Sequence, residues 1–199
     1  VKLPDDPEER KREEIARTEK TAALEELAAS RFSVLIGRAG TGKTTLLSVL
    51  VAQPEIRREG VLLLAPTGKA RVRMQDVATR AGITDCRALT LAQHLNDSHR
   101  YDAQTQRYLM TGERGETVAG TVIVDECSML TEEMMGALLE SLGKVDRLVF
   151  VGDYRQLPPI GAGRPFVDIV ARLKPGEFVA GKPHVGPGFA ELLRFAQVM

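Results

Sequence analysis

The sequence predicts an α/β fold, a mainly parallel sheet with helices on both faces, from three observations. Continuous apolar runs recur along the 199 residues, FSVLIG at 32–37, VLLLA at 61–65, TVIVD at 121–125 and LVFVG at 148–152. Stretches with helical spacing separate these runs, and each run ends in a turn containing glycine, proline or an acid. A strand that is apolar on both faces must be covered on both faces, which is the situation of a parallel strand between helical layers.

The elements follow in order. Residues 8 to about 30 read as one long solvated helix, with Asp5 or Asp6 as its cap, Pro7 in its first turn, and Glu8 and Glu9 at its positive end. Glu8–Arg12 and Glu13–Arg17 have the spacing of helix-surface ion pairs. Apolar residues thicken only at Leu24 and Leu27, so the first half should project from the core. The first strand leads through a glycine-rich turn into a helix from about Lys43 to Ala52, and the second into a helix from about Gly68 to Arg80. A third helix is expected near Thr131–Leu142, between the third and fourth strands.

Residues 100–110 break this rhythm, because Tyr101 and Tyr108 flank a polar centre, and they read as an inserted β-hairpin. The segment 112–119 has the polarity of a loop, and the chain is rich in proline and glycine from about Lys174. The expected organisation is a charged helix over 1–30, a nucleotide-binding domain over 31–173 and a Pro/Gly-rich segment over 174–199.

Composition narrows the classes. The chain is 43% hydrophobic and 27% charged, ordinary for a globular protein, and has no apolar run long enough to span a membrane. Its start, Val-Lys-Leu-Pro-Asp-Asp followed by charged residues, lacks the pattern of a signal peptide. Cys86 and Cys127 are far apart and, like His94, His99 and His184, lack metal-ligand spacing; a cytoplasmic setting is expected. With 27 basic and 27 acidic residues the formal charge is zero, which argues against a broad electrostatic footprint on nucleic acid but leaves room for a narrow one.

The most specific motif is Gly37-Arg-Ala-Gly-Thr-Gly-Lys43-Thr44, a complete G-x-x-x-x-G-K-[ST] pattern between a strand and a helix. Gly40 and Gly42 let the backbone curl so that amides of Gly40, Thr41, Gly42, Lys43, Thr44 and Thr45 can face an anion at the helix's positive end. Lys43 would reach the β- and γ-phosphates of ATP, and the Thr44 hydroxyl would ligate Mg²⁺.

The strand Val122-Ile-Val-Asp125-Glu126 supplies the carboxylates such a site needs. Asp125 is the candidate for Mg²⁺, directly or through water, and Glu126 for deprotonating the attacking water. Cys127 reads as packing. After the fourth strand, Gly152-Asp153-Tyr-Arg-Gln156-Leu-Pro-Pro places Gln156 where it could sense a γ-phosphate, or simply be solvated.

Four segments together, GRAGTGKTT at 37–45, LLLAPTGKAR at 62–71, VIVDECSML at 122–130 and VFVGDYRQLPPIGAG at 149–163, resemble superfamily 1 DNA helicases of the RecD-like branch. The resemblance covers about residues 20–165 and implies a RecA-like P-loop domain, the first of two motor domains, that couples ATP hydrolysis to movement on single-stranded DNA, with RNA an alternative strand. It further implies strand contacts from Thr67 and Lys69, and from Thr90 in Leu89-Thr90-Leu91. Both threonines are equally placed to cap helices, and that reading stays open beside the first.

The stretch 17–24 lacks the glutamine with which such helicases read adenine, and the chain ends before a second RecA-like domain and its arginines. No initiating Met is present, which suits a fragment that binds nucleotide but hydrolyses it poorly alone. Two other classes share the phosphate motif: a nucleotide or small-molecule kinase, and a nucleotide-switched binding module.

Overall fold

The computed structural model describes residues 6–38, 40–80, 82–83 and 86–173. The expected Pro/Gly-rich segment 174–199 and the side chains of Arg12 and Glu13 lie outside the described residues. The first helix, α1 (Pro7–Ala29), is capped by Asp6, whose carboxylate accepts from the amides of Glu8 and Glu9. Among the described residues of α1 only Ala23 and Leu27 are buried, both in its second half, where the apolar pattern places its contact with the core.

The sheet strands are β1 (Phe32–Ile36), β2 (Val61–Ala65), β3 (Arg87–Thr90), β6 (Thr117–Val124) and β7 (Leu142–Gly152). They lie in the order β1-β7-β6-β2-β3, all parallel. The helices are α2 (Lys43–Ala52), α3 (Pro54–Arg58), α4 (Gly68–Arg80), α5 (Leu91–Asp97), α6 (Glu132–Ser141) and α7 (Pro165–Leu173). β4 (Tyr101–Asp102) and β5 (Arg107–Tyr108) form the inserted antiparallel hairpin, whose two tyrosine rings pack 5.0 Å apart.

Alternating strand residues feed two separate cores. On one face Leu35, Leu63, Ile123 and Val151 meet Leu27, Leu47, Leu50, Met74 and Ala78 of α1, α2 and α4. On the other, Val34, Leu64, Val124 and Phe150 meet Leu91, Leu95, Leu138, Phe166 and Val170 of α5, α6 and α7. The sheet is covered on both faces, as the unbroken apolar runs require.

Several elements differ from expectation. β3 is an additional edge strand, and α3 and α7 are additional helices. The polar loop expected over 112–119 gives way to strand from Thr117, and β7 begins at Leu142 immediately after α6. These early stretches pair with each other, Thr117 against Leu142 and Ala119 against Val145, and Ala119, Leu142 and Val145 pack against the second core while only partly buried. Gly115 permits the approach, since a Cβ there would lie 2.0 Å from the Ser141 carbonyl oxygen.

Candidate functional site

Parallel strands bring all their C-terminal ends to one edge of the sheet, and the singled-out residues lie along that edge. Ile36 is level with Gly152, Phe150 with Val124, Val124 with Leu64, and Ala65 with Thr90. The chain leaving each strand therefore carries, in spatial order, the glycine-rich loop, Asp153, Asp125 with Glu126, Thr67, and Thr90.

The loop ends in a helix start that lacks a side-chain cap. Gly42 is the N-cap of α2 with φ 85°, and no side chain bonds the first amides of that helix. By contrast Asp6, Thr67, Thr90 and Thr131 each accept from amides at the starts of α1, α4, α5 and α6. A Cβ at Gly42 would face the left-handed strain that L side chains avoid. The same added Cβ would lie 3.9 Å from the Lys20 ammonium of α1, a second cation at the loop that the motif pattern alone does not disclose. Thr44 is half-buried and Thr45 exposed in the first turn of α2.

Lys43 donates to the carbonyl oxygens of Gly37 and Arg38, the latter at 3.0 Å. Burial holds its pKa below the ordinary lysine value, while the charges of Asp125 and then Asp153 oppose that shift. Asp125 is 7% exposed and accepts the Glu126 amide at 2.9 Å through Oδ1. Burial raises its pKa above the ordinary carboxylate value, against the lowering effects of the Glu126 amide, Lys43 and Arg73. Lys43 and Asp125 thus lie within one another's field. Asp153 joins them from the intervening strand.

The donor set fits a magnesium-bound phosphate ligand. Uncapped amides and an ammonium suit the anion, and a buried carboxylate whose ionised form is penalised suits a hard cation. Among the described residues no group of three or more His, Cys, Asp or Glu could hold a metal by itself. A cation here would therefore need phosphate and water oxygens to complete its shell, the usual mode for magnesium.

Glu126 occupies a left-handed conformation, φ 54° and ψ 37°, which a β-carbon disfavours by about 1–2 kcal/mol. This kink ends β6 and starts the 3-10 turn Cys127–Met129. The Glu126 side chain meets Thr67, whose hydroxyl donates to Oε2 at 3.4 Å, and Arg73, whose guanidinium is 3.6 Å from Oε1. Cys127 is buried, bonds the Val124 carbonyl, and has a thiol pKa pushed well up by desolvation, so it packs.

The expected strand-contact residues divide. Thr67 caps α4 through the Ala70 amide, and Lys69 is exposed beside it. Thr90 forms a complete capping box with Gln93 at the start of α5. Gln156 is exposed in the turn after Asp153, with its amide on the Asp153 carbonyl. The motif patterns left Asp153 without a role and passed over Lys20 and Arg73. Asp153 had a legible signal, its place at the end of an apolar strand; the other two required the fold.

The buried carboxylate has a measurable consequence for stability. An acid with a folded-state pKa above its unfolded value is penalised once it ionises; the penalty is absent below the unfolded pKa, grows as pH rises, and persists at neutral pH. Asp125→Asn, which keeps the oxygen for the Glu126 amide, is expected to raise the melting temperature at neutral pH. The gain should vanish at acid pH. Thermal melts followed by circular dichroism across pH check this.

The sequence profile of the AAA domain family matches residues 16–177. An uncharacterised protein of Methanocaldococcus jannaschii is 34% identical over 173 residues, covering 75% of this chain and 13% of that protein. The ATP-dependent RecD2 DNA helicase of Deinococcus radiodurans is 34% identical over 150 residues, covering 75% of this chain and 19% of the helicase. The RecD subunit of the RecBCD enzyme of Mycolicibacterium smegmatis is 32% identical over 172 residues, covering 78% and 30% respectively. This chain therefore spans less than a third of the length of each of these relatives.

Proposed function

This chain belongs to the AAA domain family, and on that premise we propose that it is the ATP-binding first motor domain of a RecD-like, ATP-dependent DNA helicase. The observation that carries the proposal is the opposition of Lys43 and Asp125 across one sheet edge, next to a helix start with no side-chain cap. The family match and the RecD relatives support the helicase class over a small-molecule kinase.

In this reading the amides of residues 40–45 and the Lys43 ammonium bind and orient the triphosphate. Thr44 and Asp125 would hold Mg²⁺, which when bound neutralises phosphate charge. Glu126 accepts the proton of the attacking water. Gln156 hydrogen-bonds the γ-phosphate or that water. Thr67, Lys69 and, more weakly given its complete cap, Thr90 hold single-stranded DNA at the same edge. A second RecA-like domain of the parent chain closes over the nucleotide and shifts the grip on the strand. We assign residues 31–173 to the nucleotide-binding domain and residues 1–30 to its leading helix. Among the described residues no helix is long and apolar enough to cross a membrane.

The deciding experiment measures ATP turnover by the full-length protein with single-stranded DNA, with RNA, and with small phosphate acceptors. Stimulation by DNA is expected, together with DNA affinity that changes when a non-hydrolysable ATP analogue is added. Stimulation by a small acceptor alone would identify a kinase. Nucleotide-dependent partner binding without turnover would identify a switched binding module.

A further inference from the structure

α1 carries a cation that its own helix leaves without a partner. The helix-surface neighbours of Lys20, three and four residues away, are Ala16, Arg17, Ala23 and Leu24, and none of them is an acid. Lys20 is exposed, and among the described residues no hydrogen bond or ion pair engages its ammonium. Its place on α1 is nonetheless fixed by packing. Ala23, one turn further on, is buried, and Leu24 packs against the same core, on the side where α1 meets α2. Lys20 therefore stands at the start of α2, and its Nζ would lie 3.9 Å from a Cβ added to Gly42.

Gly42 is the N-cap of α2, where no side chain satisfies the first amides. Lys43 serves this loop from within, with its ammonium on the Gly37 and Arg38 carbonyls. Lys20 comes from α1, so cations on two separate elements flank one uncapped helix start. An unpaired cation at the positive end of a helix works against the macrodipole, and a bound polyanion reverses that sign. The chemistry of the group decides what it recognises. An ammonium has three donors and no acceptor, so it cannot answer the donor on the adenine edge, whereas any phosphate oxygen satisfies it. In the stretch 17–24, where the RecD-like resemblance implies an adenine-reading glutamine, this chain thus presents a charge.

We propose that Lys20 is a phosphate-binding residue of the nucleotide site, so that α1 holds its ligand by the charge of the phosphates and not by the base. The proposal rests on the reading of 37–45 as the phosphate loop, and it adds a ligand-binding group from a separate element. α1 is then part of the site and more than a leading helix.

The test titrates the full-length protein with a fluorescent ATP analogue in the presence of Mg²⁺, then displaces the analogue with inorganic tripolyphosphate, which has no base. Lys20→Met, which keeps an unbranched stem, is expected to weaken the binding of both by the same factor, about threefold to tenfold, the scale of one exposed charge-assisted contact. The loss should shrink as salt rises, because screening weakens an exposed charge pair, and Lys20→Arg should keep most of the wild-type affinity. Lys20 is exposed and methionine is a good helix former, so the nucleotide-free melting temperature should not fall. Unchanged affinity in Lys20→Met overturns the proposal. So does a loss seen with ATP but not with tripolyphosphate, which marks a contact to base or ribose, or a loss accompanied by a lower nucleotide-free melting temperature, which marks a purely structural role. Lys43→Ala in the same titration tells the two failures apart. If that variant binds as tightly as wild type, the nucleotide is not on the loop and the underlying reading is wrong. If it loses affinity while Lys20→Met matches wild type, only the assignment of Lys20 is wrong.

Discussion

Glu126→Gln is expected to lower ATP turnover by the full-length protein about 10²–10⁴-fold, the contribution of a positioned general base, while nucleotide affinity stays close to wild type. The substitution preserves shape, and the glutamine oxygen can still accept from the Thr67 hydroxyl that now bonds Glu126. What it removes is the capacity to take a proton. Binding should survive because the groups proposed to grip phosphate, Lys43 and the amides around Gly42, lie on the loop between β1 and α2, away from the Thr67 and Arg73 contacts of Glu126. Steady-state turnover and fluorescent-nucleotide binding, measured side by side, check both halves. Unchanged turnover would mean that another group activates water.

Lys43→Ala is expected to cost both binding and turnover, with turnover falling about 10²–10³-fold or more, as when a preorganised charge-stabilising donor is removed. The fold should tolerate it. Burial already lowers the Lys43 pKa, so its charged form is penalised in the folded state, and its recorded hydrogen bonds are to carbonyls of its own loop. Direction again separates the possibilities: an ammonium that only braced the loop would cost thermal stability and leave nucleotide affinity intact. Titration with a fluorescent ATP analogue and a thermal melt of the same sample distinguish them.

Much of the fold was legible because burial on both faces leaves an unmistakable trace. VLLLA and VIV have no polar residue to suggest a solvent face, and both stretches are buried throughout. The same logic explains what was not legible. The early halves of β6 and β7 are only partly covered, with Ala119, Leu142 and Val145 against one core and Val118, Lys144 and Asp146 exposed, so they read as loop. β3 is a short edge strand, RALT, whose apolar content is too small to show periodicity. α7 was readable, since Phe166, Ile169, Val170 and Leu173 have helical spacing behind Pro165, and α3 opens on Pro54 and Glu55.

The site divides in the same way. The glycine-rich loop and the acidic strand end are compact strings whose chemistry is local, so Lys43 and Asp125 could be named from spacing. Arg73 could not, because its meeting with Glu126 depends on the parallel register of β2 against β6 and on the left-handed turn at Glu126. Nor could Lys20, which reaches Gly42 only because α1 packs beside α2.

The central claim, that Lys43 and Asp125 share one metal-bound nucleotide, is tested most directly by anomalous diffraction from crystals grown with Mn²⁺ and a non-hydrolysable ATP analogue. The expected result is a manganese peak between the Thr44 hydroxyl and the Asp125 carboxylate, in direct or water-mediated contact, with the terminal phosphates on Lys43. A peak remote from both residues, or a nucleotide seated away from the loop at 37–45, would contradict it.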